Sequence, residues 1–193
     1  MLVYMDEKLQ QFFSSLDRSR FVDEPYKALS SLDHPLPIGY GQTISQPSLV
    51  AYMTEQLELN KKHTVLEIGT GSGYQSAFLA EFSGEVYTVE RINELSKKAK
   101  KRLDSLGYKN IHYRVGDGTL GWPEHAPFDR IMVTAAPSKI PEALLDQLAP
   151  EGIMIIPVGP EGWQELLKVI KDRHGSVSER KLLDVTFVTL VDK

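Results

Sequence analysis

Apolar positions fall into two regimes along the chain. From Met5 to Leu16 they sit at Met5, Leu9, Phe12, Phe13 and Leu16, spacings of four, three and four that predict one buried helix face. Asp33 to Gln42 holds two prolines and two glycines and is expected to be a loop. A helix is expected from near Ser45 to Leu57, with Pro47 in its first turn and Ser45 suited to cap it.

After Lys62 short apolar runs alternate with helical stretches. Strands are predicted at Thr64–Ile68, Val86–Glu90, Ile111–Val115, Phe128–Ala135 and Ile153–Ile156, the last ended by Pro157. Helices are predicted at Tyr74–Phe82, Asn93–Leu106 and Pro141–Leu148. Two weaker strands, Glu165–Lys171 and Leu182–Leu190, are expected to form an antiparallel hairpin across Arg173-His174-Gly175. This order predicts an α/β fold: a Rossmann-like, doubly wound, mainly parallel sheet with helices on both faces. Ligands bind such sheets beyond the carboxyl ends of the strands, at the switch point.

Composition narrows the classes of function. The 193 residues suit a single domain, residues 1–193, with a short helical extension over about 1–60 covering the active site. Lys and Arg number 22 against 26 Asp and Glu, a net charge of −4 that provides no basic stripe for nucleic acid. The absence of cysteine excludes disulfides, thiolate metal sites and cysteine nucleophiles. No apolar run reaches the ~20 residues that span a bilayer, and the first eight residues carry no leader pattern. A cytoplasmic protein with no membrane partner is expected.

The strongest chemical signal is Glu67-Ile68-Gly69-Thr70-Gly71-Ser72-Gly73-Tyr74. Its three glycines follow a strand and open a helix, so backbone amides meet a ligand closely. The dinucleotide fingerprint needs a glycine where Tyr74 stands. The alternative is a turn that merely requires flexibility. Glu90 ends the second strand roughly twenty residues on, where a carboxylate accepts both hydroxyls of a ribose; otherwise it is an exposed acid before a helix. Asp117-Gly118 is either a simple turn or a carboxylate at an adenine amino group. Ser45, in Gln42-Thr43-Ile44-Ser45-Gln46-Pro47, is either a helix cap or a hydroxyl at the mouth of the site.

Other residues carry less. His34, His63, His112, His125 and His174 have no metal-ligand spacing, so no metal is expected. Ser72 lacks the flanking glycines of a nucleophile elbow, and no Walker loop occurs. Trp122 and Trp163 read as packing residues, and the Lys97–Lys101 run as a solvated helix face.

Together these segments resemble the protein-L-isoaspartate O-methyltransferase family from about Arg20 to Leu190. The marks are Arg20-Phe21-Val22, Leu36-Pro37-Ile38-Gly39, Gly41 to Pro47, Val65 to Tyr74, Gly116-Asp117-Gly118, Ala126 to Asp129, Val133 to Ala136, Pro157-Val158-Gly159 and Phe187-Val188. The segment Gln42 to Pro47 is the most specific. The resemblance implies methyl transfer from S-adenosylmethionine (AdoMet) to the α-carboxylate of isoaspartyl residues in damaged proteins and peptides. S-adenosylhomocysteine is the product, and a succinimide begins the repair. It implies that Ser45 holds the acceptor carboxylate, with Thr43 and Gln42 shaping the pocket. Glu67 and the Gly69–Gly73 turn hold the methionine part, Glu90 the ribose with Arg91 beside it, and Asp117-Gly118 the adenine. The residues expected at the cofactor are Gln42, Thr43, Ser45, Glu67, Gly69, Thr70, Gly71, Ser72, Gly73, Glu90, Arg91, Asp117 and Gly118. The family also implies a monomer.

Two departures stand out. The stretch before Arg20 is shorter than in many members, which implies a more open site. Thr189 follows Phe187-Val188 where the family often has proline, which implies an altered last strand and peptide-binding edge. Three rival readings remain at this point: a methyltransferase with another acceptor, an AdoMet-binding protein without chemistry, and an NAD-dependent oxidoreductase, which Tyr74 disfavours.

Overall fold

The computed structural model describes residues 5–191. Residues 1–4 and 192–193 lie outside the described residues, and with them half of the stretch read for a leader.

Helix α1 (Glu7–Ser15) begins at Asp6, whose carboxylate accepts from the Lys8 and Leu9 amides at 2.9 and 3.4 Å. Its expected face is the one that packs: Leu9 is buried and Phe12 meets Phe78 edge-on at 5.0 Å. Short 3-10 turns follow at Arg18–Phe21 and Tyr26–Leu29. The expected loop then turns out to be a hairpin, β1 (Leu36–Gly39) against β2 (Gln42–Ile44). Leu36 and Ile38 alternate inward while Pro37 and Gly39 face out, and Tyr40-Gly41 makes the turn with φ of 56° and 70°. A two-stranded ribbon is all edge, so proline does not break it. The extension is therefore only partly helical.

Helix α2 (Pro47–Gln56) has Pro47 at its start as expected, but Ser45 does not cap it. Asp33 reaches across instead: its Oδ1 accepts from the Ser48 amide at 2.9 Å and its Oδ2 from Gln46 Nε2 at 3.0 Å. A carboxylate at that end also suits the helix dipole. Among the described residues the Ser45 hydroxyl makes no hydrogen bond.

The alternating half follows the expected plan: β3 (Thr64–Ile68), α3 (Tyr74–Phe82), β4 (Glu85–Glu90), α4 (Asn93–Ser105), β5 (Ile111–Val115), β6 (Phe128–Val133), α5 (Glu142–Gln147), β7 (Leu148–Val158), β8 (Gln164–Lys171) and β9 (Val177–Val185). The sheet order is β5-β4-β3-β6-β7-β8-β9, parallel from β5 to β7 and antiparallel at β8 and β9. The chain leaves β3 toward β4 and later returns to its other side with β6, so the switch point lies beyond Ile68 and Val133. Met53 of α2, Leu57 just after it and Leu79 of α3 share one core with Val65, Val86, Met132 and Ile155. Leu144 of α5 covers the opposite face with Leu66, Ile131, Val133 and Met154. Both faces are covered, which is why these strands read as nearly continuous apolar runs.

β4, β6 and β8 differ from their expected bounds by one or two residues, and two strands differ by more. β7 starts at Leu148, five residues earlier than expected, and runs through Pro157, because its pairing with β6 ends at Ile155 and beyond that only β8 flanks it. The last hairpin forms, but β9 starts five residues earlier than expected and ends at Val185, with Ser178 to Lys181 exposed on this edge strand. Exposure on both sides permits polar residues that give no alternation signal.

Candidate active site

The glycine turn between β3 and α3 has three glycines in the left-handed region, and each answers a different demand. Gly69 (φ 96°) leaves no space for a Cβ, which would collide with the Thr134 hydroxyl. Its amide donates to the Val89 carbonyl at 2.8 Å. Gly73 (φ 86°) opens α3, and a Cβ there would come within 2.9 Å of Leu103 Cδ1 on α4. Gly71 (φ 52°) lines the cleft and donates its amide to Glu90 Oε2 at 2.8 Å.

Glu90 ends β4 with only 6% exposure. Its other oxygen accepts from the Ile92 amide at 2.9 Å. Each oxygen is thus pinned by one N–H and keeps a lone pair for a further donor, an arrangement that fits a vicinal diol. Ile68, Val89 and Leu190 add apolar lining. A fixed acidic acceptor beside apolar walls and backbone amides fits an adenosine-type cofactor.

Glu67 is placed otherwise than a ligand-contacting residue. It is wholly buried beneath α3 and does not line the cleft. Its Oε2 accepts from Ser76 Oγ at 2.5 Å and Thr88 Oγ1 at 2.6 Å, while Oε1 has no partner among the described residues. Thr88 spends its one proton on Glu67, so Thr70 is the donor in their 2.6 Å contact. A hydroxyl chain therefore connects Glu67 to Thr70, which does line the cleft. Burial drives the Glu67 carboxyl up to about 7; the two hydroxyl bonds oppose this and the charge of Glu90 adds to it.

The facing wall is the segment from β2 into α2, where Gln42, Thr43 and Ser45 line the cleft. Its position depends on Arg18, 5% exposed, whose guanidinium donates to four carbonyls: Ser30 (3.2 Å), Leu32 (3.0 Å), His34 (2.8 Å) and Ser45 (3.1 Å). A planar fork with five donors is suited to gathering carbonyls in this way. The third wall is the segment after β9. Gln164 clamps both main-chain groups of Phe187 at 2.6 and 3.1 Å, and Ala136 bonds the Val188 carbonyl and the Leu190 amide, both at 2.8 Å.

Of the residues expected from sequence, Gln42, Thr43, Ser45, Gly69, Thr70, Gly71, Ser72, Glu90, Arg91 and Gly118 line this one cleft. Glu67, Gly73 and Asp117 stand outside the lining. Asp117 Oδ1 accepts from the Thr119 amide and hydroxyl at 2.8 and 2.7 Å at the head of a 3-10 turn. Arg18, Gln75, Thr134, Val188, Leu190 and Val191 were not expected at the site from sequence, and Thr189 was expected only at the peptide-binding edge. Thr134 had a usable signal, since it directly follows β6 at the switch point. Arg18 had none. Among the described residues no group of three or more His, Asp or Glu could hold a metal ion, and no helix is long and apolar enough to cross a membrane.

Comparison with known proteins places this geometry in context. Residues 2–193 match the family described as protein-L-isoaspartate(D-aspartate) O-methyltransferase. The chain is 55% identical over 184 residues to the protein-L-isoaspartate O-methyltransferase of Dictyoglomus thermophilum, covering 95% of this chain and 83% of that one. It is 51% identical to the one from Gloeobacter violaceus, covering 92% of this chain and 86% of that one. Among solved structures it is similar to a candidate protein-L-isoaspartate O-methyltransferase from Plasmodium falciparum in complex with S-adenosyl-L-homocysteine. That match has a TM-score of 0.84 and 26% identity, over 96% of this chain and 91% of the other.

Proposed function

We infer the reaction from one premise: this chain belongs to the protein-L-isoaspartate(D-aspartate) O-methyltransferase family. It is an enzyme that methylates the free α-carboxylate of L-isoaspartyl residues in proteins and peptides, with S-adenosylmethionine as methyl donor. The observation that carries the residue assignment is that Ser45 and the pinned carboxylate of Glu90 line one cleft. The bound cofactor supplies a methyl group on a positively charged sulfur and departs as S-adenosyl-L-homocysteine.

The chain's own tasks are then positional. Glu90 accepts from the ribose hydroxyls, with Arg91 beside it. The Gly69 and Gly71 amides are held by Val89 and Glu90, which leaves the Thr70 amide as donor and the Thr70 and Ser72 hydroxyl oxygens as acceptors for the methionine portion. Gly118, set in place by Asp117, together with Leu190 and Ile68 borders the adenine. Glu67 and Gly73 act from behind, one through Thr88 and Thr70 and the other by seating α3 against α4. The acceptor carboxylate has a pKa near ~4 and is already ionised at neutral pH, so no general base is required. The Ser45 hydroxyl donates to one carboxylate oxygen and aims the other in line with methyl and sulfur, while Thr43 and Gln42 restrict its approach. The freed methyl ester is attacked by the following backbone nitrogen. Methanol leaves, the succinimide closes, and its hydrolysis restores some normal aspartate.

Single-turnover kinetics of Ser45→Ala test the assignment. The expected result is a fall in the transfer rate of about tenfold or more, corresponding to ~1.4 kcal/mol or more of lost positioning. The change in cofactor affinity should be smaller. A transfer rate equal to the parent's removes Ser45 from the mechanism.

A further inference from the structure

Two threonine hydroxyls link a buried carboxyl to the cleft. Glu67 of β3, Thr88 of β4 and Tyr113 of β5 are neighbours in one row across the sheet. Glu67 and Thr88 are wholly buried, and Thr70 lines the cleft. The groups around Glu67 are few. Ser76 of α3 and Thr88 donate to its Oε2, and Met132 of β6 stands beside it in the sheet. Burial pushes the Tyr113 phenol up, so that group stays neutral, while Glu90 at the end of β4 adds a like charge. Among the described residues no cation acts on Glu67. Burial, a like charge and an oxygen without a donor all favour the neutral acid.

The direction of the hydroxyls depends on that charge. A carboxylate only accepts, so ionised Glu67 draws the Thr88 proton and Thr88 draws the Thr70 proton, in contacts of 2.6 Å each. Thr70 then presents only lone pairs to the cleft. A neutral carboxyl donates from Oε2 to Thr88; the chain runs outward, and the Thr70 proton points at the cleft. Thr70 is fixed as an acceptor only while Glu67 is ionised.

We propose that cofactor binding expels a proton from Glu67, with Thr88 and Thr70 as the link. The ammonium group of the methionine portion donates to the Thr70 hydroxyl oxygen and so selects the chain that runs inward to an ionised Glu67. Each proton along the line moves by one bond: that of Glu67 to Thr88, that of Thr88 to Thr70, and that of Thr70 to solvent in the cleft. The balance is one proton released and one carboxylate formed, with no bond of the cofactor changed. This rests on the functional reading above and makes Glu67 and Thr88, which do not line the cleft, positioning residues for the cofactor. By reciprocity the cofactor binds more tightly as pH rises through the range where Glu67 ionises. In the free protein that range is centred on about 7.

Calorimetric titration with S-adenosyl-L-homocysteine counts the protons, because this ligand carries the same ammonium and no methyl to transfer. The parent, Glu67→Gln, Thr70→Val and Thr70→Ser are titrated at pH 6.5 in buffers of different ionisation enthalpy. An α-amino group has a pKa near ~8, so the ligand is almost fully protonated there. For a coupling of about tenfold, Glu67 passes from about three-quarters protonated to about one-quarter, and the parent releases about half a proton per ligand. Its dissociation constant should fall about sixfold from pH 5.5 to pH 7.5. E67Q subtracts what Glu90 and the ligand contribute, and should release almost none. T70V should lose the release and T70S should keep it. A parent binding enthalpy that is the same in every buffer overturns the proposal whether or not any variant folds. So does a release from E67Q or from T70V equal to the parent's. If the parent binds no S-adenosyl-L-homocysteine, the functional reading itself falls, and the proton coupling with it.

Discussion

Replacing Glu67 by glutamine tests the buried carboxyl behind the glycine turn. Glu67 is fully buried, with both hydroxyl donors on one oxygen and none on the other. Its pKa in the folded protein is about 7 against 4.5 for the ordinary carboxyl. Between these values the folded protein keeps a proton that the unfolded chain has shed. The stability this confers is complete below pH 4.5 and is lost as pH rises through about 7. From pH 5 to pH 8 that loss amounts to about 2–3 kcal/mol. Glutamine in the same place accepts the Ser76 and Thr88 hydroxyls through its carbonyl oxygen. Its amide group then occupies the unpartnered side, at a cost of about 1–3 kcal/mol that does not vary with pH. E67Q should therefore be the less stable protein at pH 5 and should draw level with the parent or overtake it by pH 8. Urea unfolding of both proteins at pH 5, 6, 7 and 8 measures this, because contributions from every other titrating group cancel in the difference. A stability difference that changes by about 2–3 kcal/mol across the series is the expected result. Two parallel curves would mean that Glu67 is ionised in the fold throughout, and would refute the reasoning.

Arg18→Met removes the cation that gathers four carbonyls, including that of Ser45. It should cost about 3 kcal/mol in urea unfolding and speed amide exchange across residues 30–45. Because Ser45 loses its anchor while the glycine turn does not, kcat should fall by a larger factor than AdoMet affinity. Glu90→Gln leaves one acceptor oxygen for the Gly71 and Ile92 amides and for the ribose together. Calorimetry should show AdoMet bound about 10- to 100-fold more weakly, the worth of a charged hydrogen bond. An unchanged affinity would take Glu90 out of the cofactor site.

The sheet was most legible where sequence and packing obey one rule. β3 and α3 match their expected bounds to the residue, because an apolar run buried on both faces is cut off by glycines. The hairpin β1–β2 was hidden by the prolines and glycines that a two-stranded ribbon tolerates. β9 was misplaced because an exposed edge needs no alternation. In the site, the glycine turn and Glu90 are local in sequence and were legible. The burial of Glu67 was legible only in part: strand alternation puts it on the face of Val65, under α3, whereas the motif alone draws it toward the ligand. Arg18 acts on carbonyls 12 to 27 residues away, and the segment after β9 reaches Ala136 from Val188. Such long-range contacts leave no periodic trace in sequence.

The central claim is carboxyl methylation of isoaspartate, and the most direct measurement uses two peptides that differ only in linkage. One holds L-isoaspartate and the other normal L-aspartate at the same position, and each is incubated with methyl-labelled AdoMet. The account predicts base-labile label on the isoaspartyl peptide alone, followed by its conversion to succinimide. Label on neither peptide with AdoMet still bound, or equal label on both, would contradict it.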